Sequence, residues 1–89
     1  MSLTAKGTVA RLYSDNAGTY IKLNGLPPAD TPKNGLFSLE LHHPNYNALY
    51  SLALAAAVNR LELMIRIDGE ADINPSGDYP TVNYMVVDW

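Results

Sequence analysis

The amino-acid sequence predicts a small, mainly β domain with one helix, in the order β-β-β-α-β-β. Five segments either alternate apolar with polar residues or are rich in β-forming residues. One central run, Ala48 to Val58, is apolar at all positions but Ser51 and is dominated by Leu and Ala, which favour a helix. Clusters of Gly, Pro, Asn and Asp separate the segments. The 89 residues suffice for one domain, expected over residues 4–89.

The N-terminal third is predicted to form a β-hairpin followed by a loop. Lys6–Ser14 is rich in β-formers, the cluster Asp15–Gly18 is typical of a turn, and Thr19–Asn24 alternates again. Gly25–Gly35 contains three prolines and two glycines and is predicted to be loop.

A third strand is predicted over Leu36–Leu41. Its alternation places Ser38 and Glu40 on one face. The opposite, apolar face would carry Phe37, Leu39 and Leu41.

The helix has recognisable signals at both ends. Pro44 suits a first helical position with His43 as the cap, although Asn45 can cap instead and start the helix one or two residues later. Asn59 is predicted to take the left-handed conformation that ends a helix, with Arg60 beside the negative end of the helix dipole.

Two strands are predicted after the helix. Leu61–Asp68 alternates with a period of two, which is typical of a half-buried strand. Gly69–Pro80 is a second polar loop, and Thr81–Trp89 has apolar residues on both faces. Such a strand is usually central in a sheet or lies at an interface.

The helix carries more apolar surface than one small domain needs, because no charged residue occurs between Pro44 and Asn59. We therefore expect a homo-oligomer with the helix in its interface. Alternatively, the alanines are only helix formers with tolerable exposure. The predicted interface residues are Leu52, Ala55, Ala56, Val58 and Trp89.

The order of elements is that of an OB-type five-stranded barrel with the helix plugging one end, and an open α+β sheet is the competing architecture. The motif His43-Pro44-Asn45-Tyr46, with the following LY-x-L-A-L-A-A-A and the terminal segment Tyr84–Trp89, resembles small bacterial proteins of unassigned function. In topology the chain also resembles the B subunits of AB-type bacterial toxins of the pertussis and subtilase group. That resemblance implies a pentameric ring lined by helices, with glycan sites on the sheet or loops. It implies no particular site residue.

Composition argues against several partners. The net charge of −3 and the pI near 5.0 disfavour nucleic acid, because phosphate contacts need clustered basic residues. The apolar helix is too short to cross a membrane, so we expect no membrane insertion. If Met1–Leu3 replaces a removed signal peptide, the protein is expected to be secreted or periplasmic, and otherwise cytoplasmic.

Residues for catalysis or metal binding do not form a recognisable pattern. On a strand, the adjacent His42 and His43 would point to opposite faces and would not share a metal. The acidic run Asp68–Asn74 departs from a calcium loop, with Ile73 where that loop needs glycine. We therefore expect no enzyme activity, no metal and no cofactor.

Tyrosines supply the candidate binding site. Six tyrosines and one tryptophan offer amphipathic surfaces that stack on sugars or bases, although tyrosines in strands are more often packing residues. The leading hypothesis is a non-enzymatic oligomeric glycan-binding module. The alternatives are an assembly protein without a small ligand and a single-stranded nucleic-acid-binding domain. The candidate ligand-binding residues are Tyr13, Tyr20, Asp78, Tyr79 and Asn83.

Overall fold

The computed structural model describes residues 4–28, 31–68 and 79–88. It contains five strands and one helix in the predicted order. All ladders are antiparallel and form one sheet of order β3-β2-β1-β4-β5. A short 3₁₀ turn, Lys33–Gly35, precedes the third strand. The elements are β1 Thr4–Asp15, β2 Gly18–Leu23, β3 Leu36–Glu40, α1 Tyr46–Asn59, β4 Glu62–Ile67 and β5 Val82–Val87.

The sheet bends because β1 serves two partners. Its first half pairs with β4 and its second half with β2, with a bulge between Val9 and Arg11. At the bend, a Cβ on Gly7 would lie only 2.1 Å from the carbonyl oxygen of Asn24, so only glycine permits this close approach.

The mainly β architecture is confirmed, whereas the predicted closed barrel is not. The described ladders form an open sheet with β3 and β5 at its edges. These edges meet at one parallel bridge between Ser38 and Thr81, where the Ser38 N–H donates to the Pro80 carbonyl at 2.9 Å.

The core lies between the concave face of the sheet and α1. Phe37 and Leu39 are fully buried, as the alternation in β3 predicted, and the same holds for Leu63 and Ile65 in β4. The helix contributes Leu49, Ala53 and Ala56. The prediction for Leu41 was wrong: β3 ends at Glu40, and Leu41 is 54% exposed.

The last strand was predicted to be central or to lie at an interface, and the first of these alternatives is wrong. β5 is an edge strand, and a bulge pairs Ile67 with Val82 but Arg66 with Tyr84. Because Asn83 is then an extra residue, Val82 and Met85 are both buried, which breaks the strict alternation. The bulge therefore accounts in part for the apolar residues on both faces of β5.

The later of the two predicted helix starts is confirmed: α1 begins at Tyr46, so Pro44 is not its first residue and His43 is not its N-cap. Asn45 occupies the N-cap position but makes no capping bond with its side chain. Instead, Nδ1 of His43 accepts a hydrogen bond from the Asn45 N–H, and Nε2 of His43 donates to the carbonyl of Asn83, both at 3.0 Å. The imidazole therefore links the start of the helix to β5.

The end of α1 differs from the prediction by one residue. Arg60, not Asn59, takes the left-handed conformation, with φ of 56°. Asn59 remains helical because its side-chain amide donates to the Ala55 carbonyl at 2.8 Å.

Candidate functional site

The candidate site lies on the outer face of β1 and β2. Leu12 and Ile21 pack toward the core, so the residues before and after them point outward. The ladder pairs Tyr13 with Tyr20, and two residues closer to the hairpin turn it pairs Asp15 with Gly18. This register brings two of the predicted site residues side by side.

Three tyrosines form a continuous aromatic surface, which we call the tyrosine face: Tyr13, Tyr20 and Tyr79. The rings of Tyr13 and Tyr20 stack with their centroids 5.0 Å apart and their planes at 24°. The ring of Tyr79 meets Tyr20 edge-on at 6.0 Å and 74°. Both separations are typical of favourable aromatic pairs. Tyr13 is 41% exposed and Tyr79 38%, so the two outer rings remain accessible.

Tyr79 reaches the sheet because the chain before β5 is tied to β3. The backbone bond from Ser38 to Pro80 fixes the neighbouring residue, and the Thr81 hydroxyl donates to Oε1 of Glu40 at 3.1 Å. The amide of Asn34 then donates to the Tyr79 hydroxyl at 3.0 Å. Tyr79 is therefore held both by the backbone next to it and by its own hydroxyl.

A partly buried chain of hydroxyl groups lies beneath the tyrosine face. Thr19 is fully buried, and its Oγ1 lies 2.8 Å from Oγ of Ser14 and 2.6 Å from the hydroxyl of Tyr46 on α1. A single threonine hydroxyl can donate one of these bonds and accept the other. The chain thus satisfies the buried oxygen and links the hairpin end to the helix.

The hydroxyl of Tyr20 lies in a partly desolvated and negatively charged environment. Desolvation is the largest cause that raises the pKa of Tyr20 above its ordinary value, and the carboxylate of Asp15 and the ionisable hydroxyls of Tyr13 and Tyr79 add to this rise. Oδ1 of Asp15 accepts the Ala17 N–H at 2.8 Å, which holds the carboxylate at the hairpin turn. The Tyr20 hydroxyl accordingly remains a hydrogen-bond donor.

The other predicted ligand-binding residues do not join this surface in the part of the chain that is described. Asn83 lies on β5, and its carbonyl accepts the hydrogen bond from His43 near the start of α1. Asp78 falls outside the described residues. Asn34 and Asp15 belong to the observed surface but were not among the predicted residues. Of these two, only Asp15 could have been found from the sequence, because the register of the predicted hairpin places it on the same face as Tyr13.

The histidines have structural partners. His43 bridges α1 and β5, and Nε2 of the exposed His42 lies 3.2 Å from Oε2 of Glu40. Across residues 4–28, 31–68 and 79–88, no three His, Asp or Glu side chains are placed to hold a metal.

The helix presents a second, different surface. Ala55 and Val58 are exposed, Val58 at 72%, and Leu52 is half-buried. Ala56, also predicted in the interface, is fully buried in the core of the domain and has no side-chain surface to offer a partner. Trp89 lies outside the described residues. An apolar groove of about 600 Å³ runs beside this surface, lined by Leu52, Ala55, Ala56, Asn59, Leu61 and Val87.

Among the described helices, none combines the length and the apolar character that crossing a membrane requires. Comparison of the chain with models of protein families, with curated proteins and with solved structures gave no match.

Proposed function

We propose that the protein is a non-enzymatic binding module that holds a carbohydrate on the tyrosine face. The observation that carries this proposal is the contact of three tyrosines from separate segments on one outer sheet surface, with two rings more than a third exposed. An exposed ring supported by its neighbours binds with little loss of conformational freedom.

A sugar suits this surface chemically. Its C–H face packs on an aromatic ring, while its hydroxyls need donors and acceptors at the edge. The tyrosine hydroxyls and the exposed carboxylate of Asp15 provide both within the same surface. A phosphate backbone fits less well, because Asp15 places negative charge beside the rings.

The fold we propose is a partly open OB-type barrel. The order β3-β2-β1-β4-β5 and the parallel bridge from Ser38 to Thr81 support it, because parallel contact between the third and fifth strands is what would close such a barrel. Barrels of this type bind oligosaccharides or oligonucleotides on the face of their second and third strands and on adjacent loops. The tyrosine face occupies β1, β2 and the segment before β5.

We further propose that the module acts as a homo-oligomer, with a ring of five as the expected assembly. The absence of charge from Pro44 to Asn59 and the groove beside Ala55 and Val58 support self-association of the helix. Several weak sugar sites on one assembly would gain avidity.

A glycan array with labelled wild-type protein and with Tyr13→Ala tests the ligand. We expect wild-type binding to one related set of glycans and at least about a tenfold loss in the variant, since a sugar stacked on Tyr13 loses its platform. Tyr84→Ala is the matched control, because Tyr84 is equally exposed on β5 but outside the tyrosine face.

Two results would contradict this function. An array without binding would favour an assembly protein that has no small ligand. Tight binding of labelled single-stranded oligonucleotide at low salt, lost in Tyr13→Ala, would favour the nucleic-acid alternative.

A further inference from the structure

We propose that the tyrosine face selects glycans that carry a free, protonated amine, such as 2-amino-2-deoxy sugars, over their N-acetylated counterparts. This inference rests on the proposed glycan-binding function and names its ligand class. It follows from the position of one carboxylate relative to the exposed rings.

Asp15 and Tyr13 share the outer face of β1, two residues apart. Two steps along a strand span about 7 Å, so a sugar stacked on Tyr13 has its substituents within reach of the Asp15 carboxylate. The bond from Ala17 holds Oδ1 at the turn, and the side chain is exposed. An ammonium group on the sugar would meet a positioned acceptor of opposite charge.

The rings themselves favour the same charge. A cation near the face of a tyrosine is attracted by the negative face of its π-system. Tyr13 and Tyr79 keep more than a third of their surface open, whereas Tyr20 lies between them. An N-acetyl group removes the charge and enlarges the substituent, so it loses both attractions.

The basic residues that the structure describes on the outer face of β1 and β2 lie at its other end. The ladder pairs Arg11 with Lys22, and both are on the far side of the Tyr13–Tyr20 pair from Asp15. The aliphatic part of Lys22 packs beside Gly35, since a Cβ added to Gly35 would lie 3.2 Å from Cε of Lys22. The Lys22 side chain therefore extends toward the 3₁₀ turn.

Among the described residues, Glu40 is a second carboxylate at the hairpin end, since β3 pairs it with Gly18. Its oxygens contact the Thr81 hydroxyl and His42. Of these two carboxylates, only Asp15 is a cause of the raised pKa of the Tyr20 hydroxyl, after the larger effect of desolvation.

Calorimetric titration with a matched pair of tetrasaccharides tests the inference. The pair is a β-1,4-linked glucosamine tetramer and its fully N-acetylated form, compared at a pH where the amines are protonated. We expect the amine form to bind about tenfold more tightly, a preference that shrinks as salt is raised. Asp15→Asn should remove most of this preference, while its amide oxygen can still accept the Ala17 N–H. Glu62→Gln, which removes an exposed charge on β4, should leave the preference unchanged.

Equal binding of the two tetramers, tighter binding of the acetylated form, or a preference that survives Asp15→Asn would overturn the inference. If the array finds ligands that all lack amines, the inference also fails while the glycan-binding function stands. An array with no ligand at all overturns the proposed function itself. Tyr13→Ala should weaken the binding of both tetramers, whereas Asp15→Asn should remove the preference between them. The two variants together separate the contribution of stacking from that of charge.

Discussion

The tyrosine face and the exposed side of α1 are both surfaces rich in apolar atoms, but they are built in opposite ways. The tyrosines come from β1, β2 and the segment before β5; they contact each other through their rings, and a hydrogen bond from Asn34 holds the Tyr79 hydroxyl. The exposed helix residues, such as Ala55 and Val58, are near neighbours in sequence. Their side chains project from a single element.

This difference indicates two kinds of binding. A surface whose side chains are already fixed by their neighbours suits a small ligand, because little ordering remains to be done on binding. A smooth, uncharged helix surface suits a large partner that excludes water over a wide area. The two surfaces can therefore be tested separately, and a variant in one should not affect the other.

The largest expected effect comes from placing a charge on the buried side of α1, and the same change on the exposed side is its control. Ala56→Glu buries an unpaired carboxylate in the core and should destabilise the fold by about 4 kcal/mol or more, enough to unfold a small domain. Ala55→Glu lies on the exposed side and should change stability by only about 0.5 kcal/mol. Urea unfolding followed by circular dichroism measures both.

The same pair separates folding from assembly. Light scattering after size exclusion should show that wild type is an oligomer and that Ala55→Glu is a folded monomer. A folded Ala56→Glu would contradict the burial of this residue, and an unchanged oligomer in Ala55→Glu would exclude this part of the helix from the interface.

A smaller effect is expected from the hydroxyl chain below the tyrosine face. Thr19→Val removes the hydroxyl that contacts both Ser14 and Tyr46 and should cost about 1–2 kcal/mol, because the Tyr46 hydroxyl loses a partly buried partner. Thr19→Ser keeps the hydroxyl and should recover most of this loss in urea unfolding.

On the helix side, Ser51→Ala is the matched deletion, since the Ser51 hydroxyl donates to the Asn47 carbonyl on an exposed turn. We expect a change within about 0.5 kcal/mol. If Thr19→Val cost no more than Ser51→Ala, the buried chain would have no special role in holding the hairpin end.

Local patterns predicted most of the fold. The alternation in β3 and β4 identified the buried Phe37 and Ile65, and the turn cluster located the hairpin that pairs Tyr13 with Tyr20. These features depend on side chains that are close in sequence and on a strand period that is fixed by geometry.

Other features had no local signal. An uncharged helix has little contrast between its faces, so the sequence could not distinguish the buried Ala56 from the exposed Ala55. The bond between Asn34 and Tyr79 joins two loops that are 45 residues apart. Such contacts arise only when the register between β3 and the start of β5 is set, which local propensity does not determine.

The smallest expected effect is a pH dependence that belongs to the tyrosine face alone. The fold raises the pKa of Tyr20 above its ordinary value of 10.0, so the unfolded chain loses this proton at a lower pH than the folded one. Below pH 10 the Tyr20 hydroxyl is protonated in both the folded and the unfolded chain, so its titration does not affect stability. As the pH rises from 10 toward the folded pKa, the hydroxyl loses its proton in the unfolded chain first, and this lowers the stability of the fold. Urea unfolding across this range should therefore show a shallower loss in Tyr20→Phe than in wild type, with Tyr84→Phe measuring the effect of removing a hydroxyl outside the face. Equal slopes in wild type and Tyr20→Phe would show that the rings and Asp15 do not retain the Tyr20 proton, and would weaken the case that this hydroxyl is a fixed donor for a ligand.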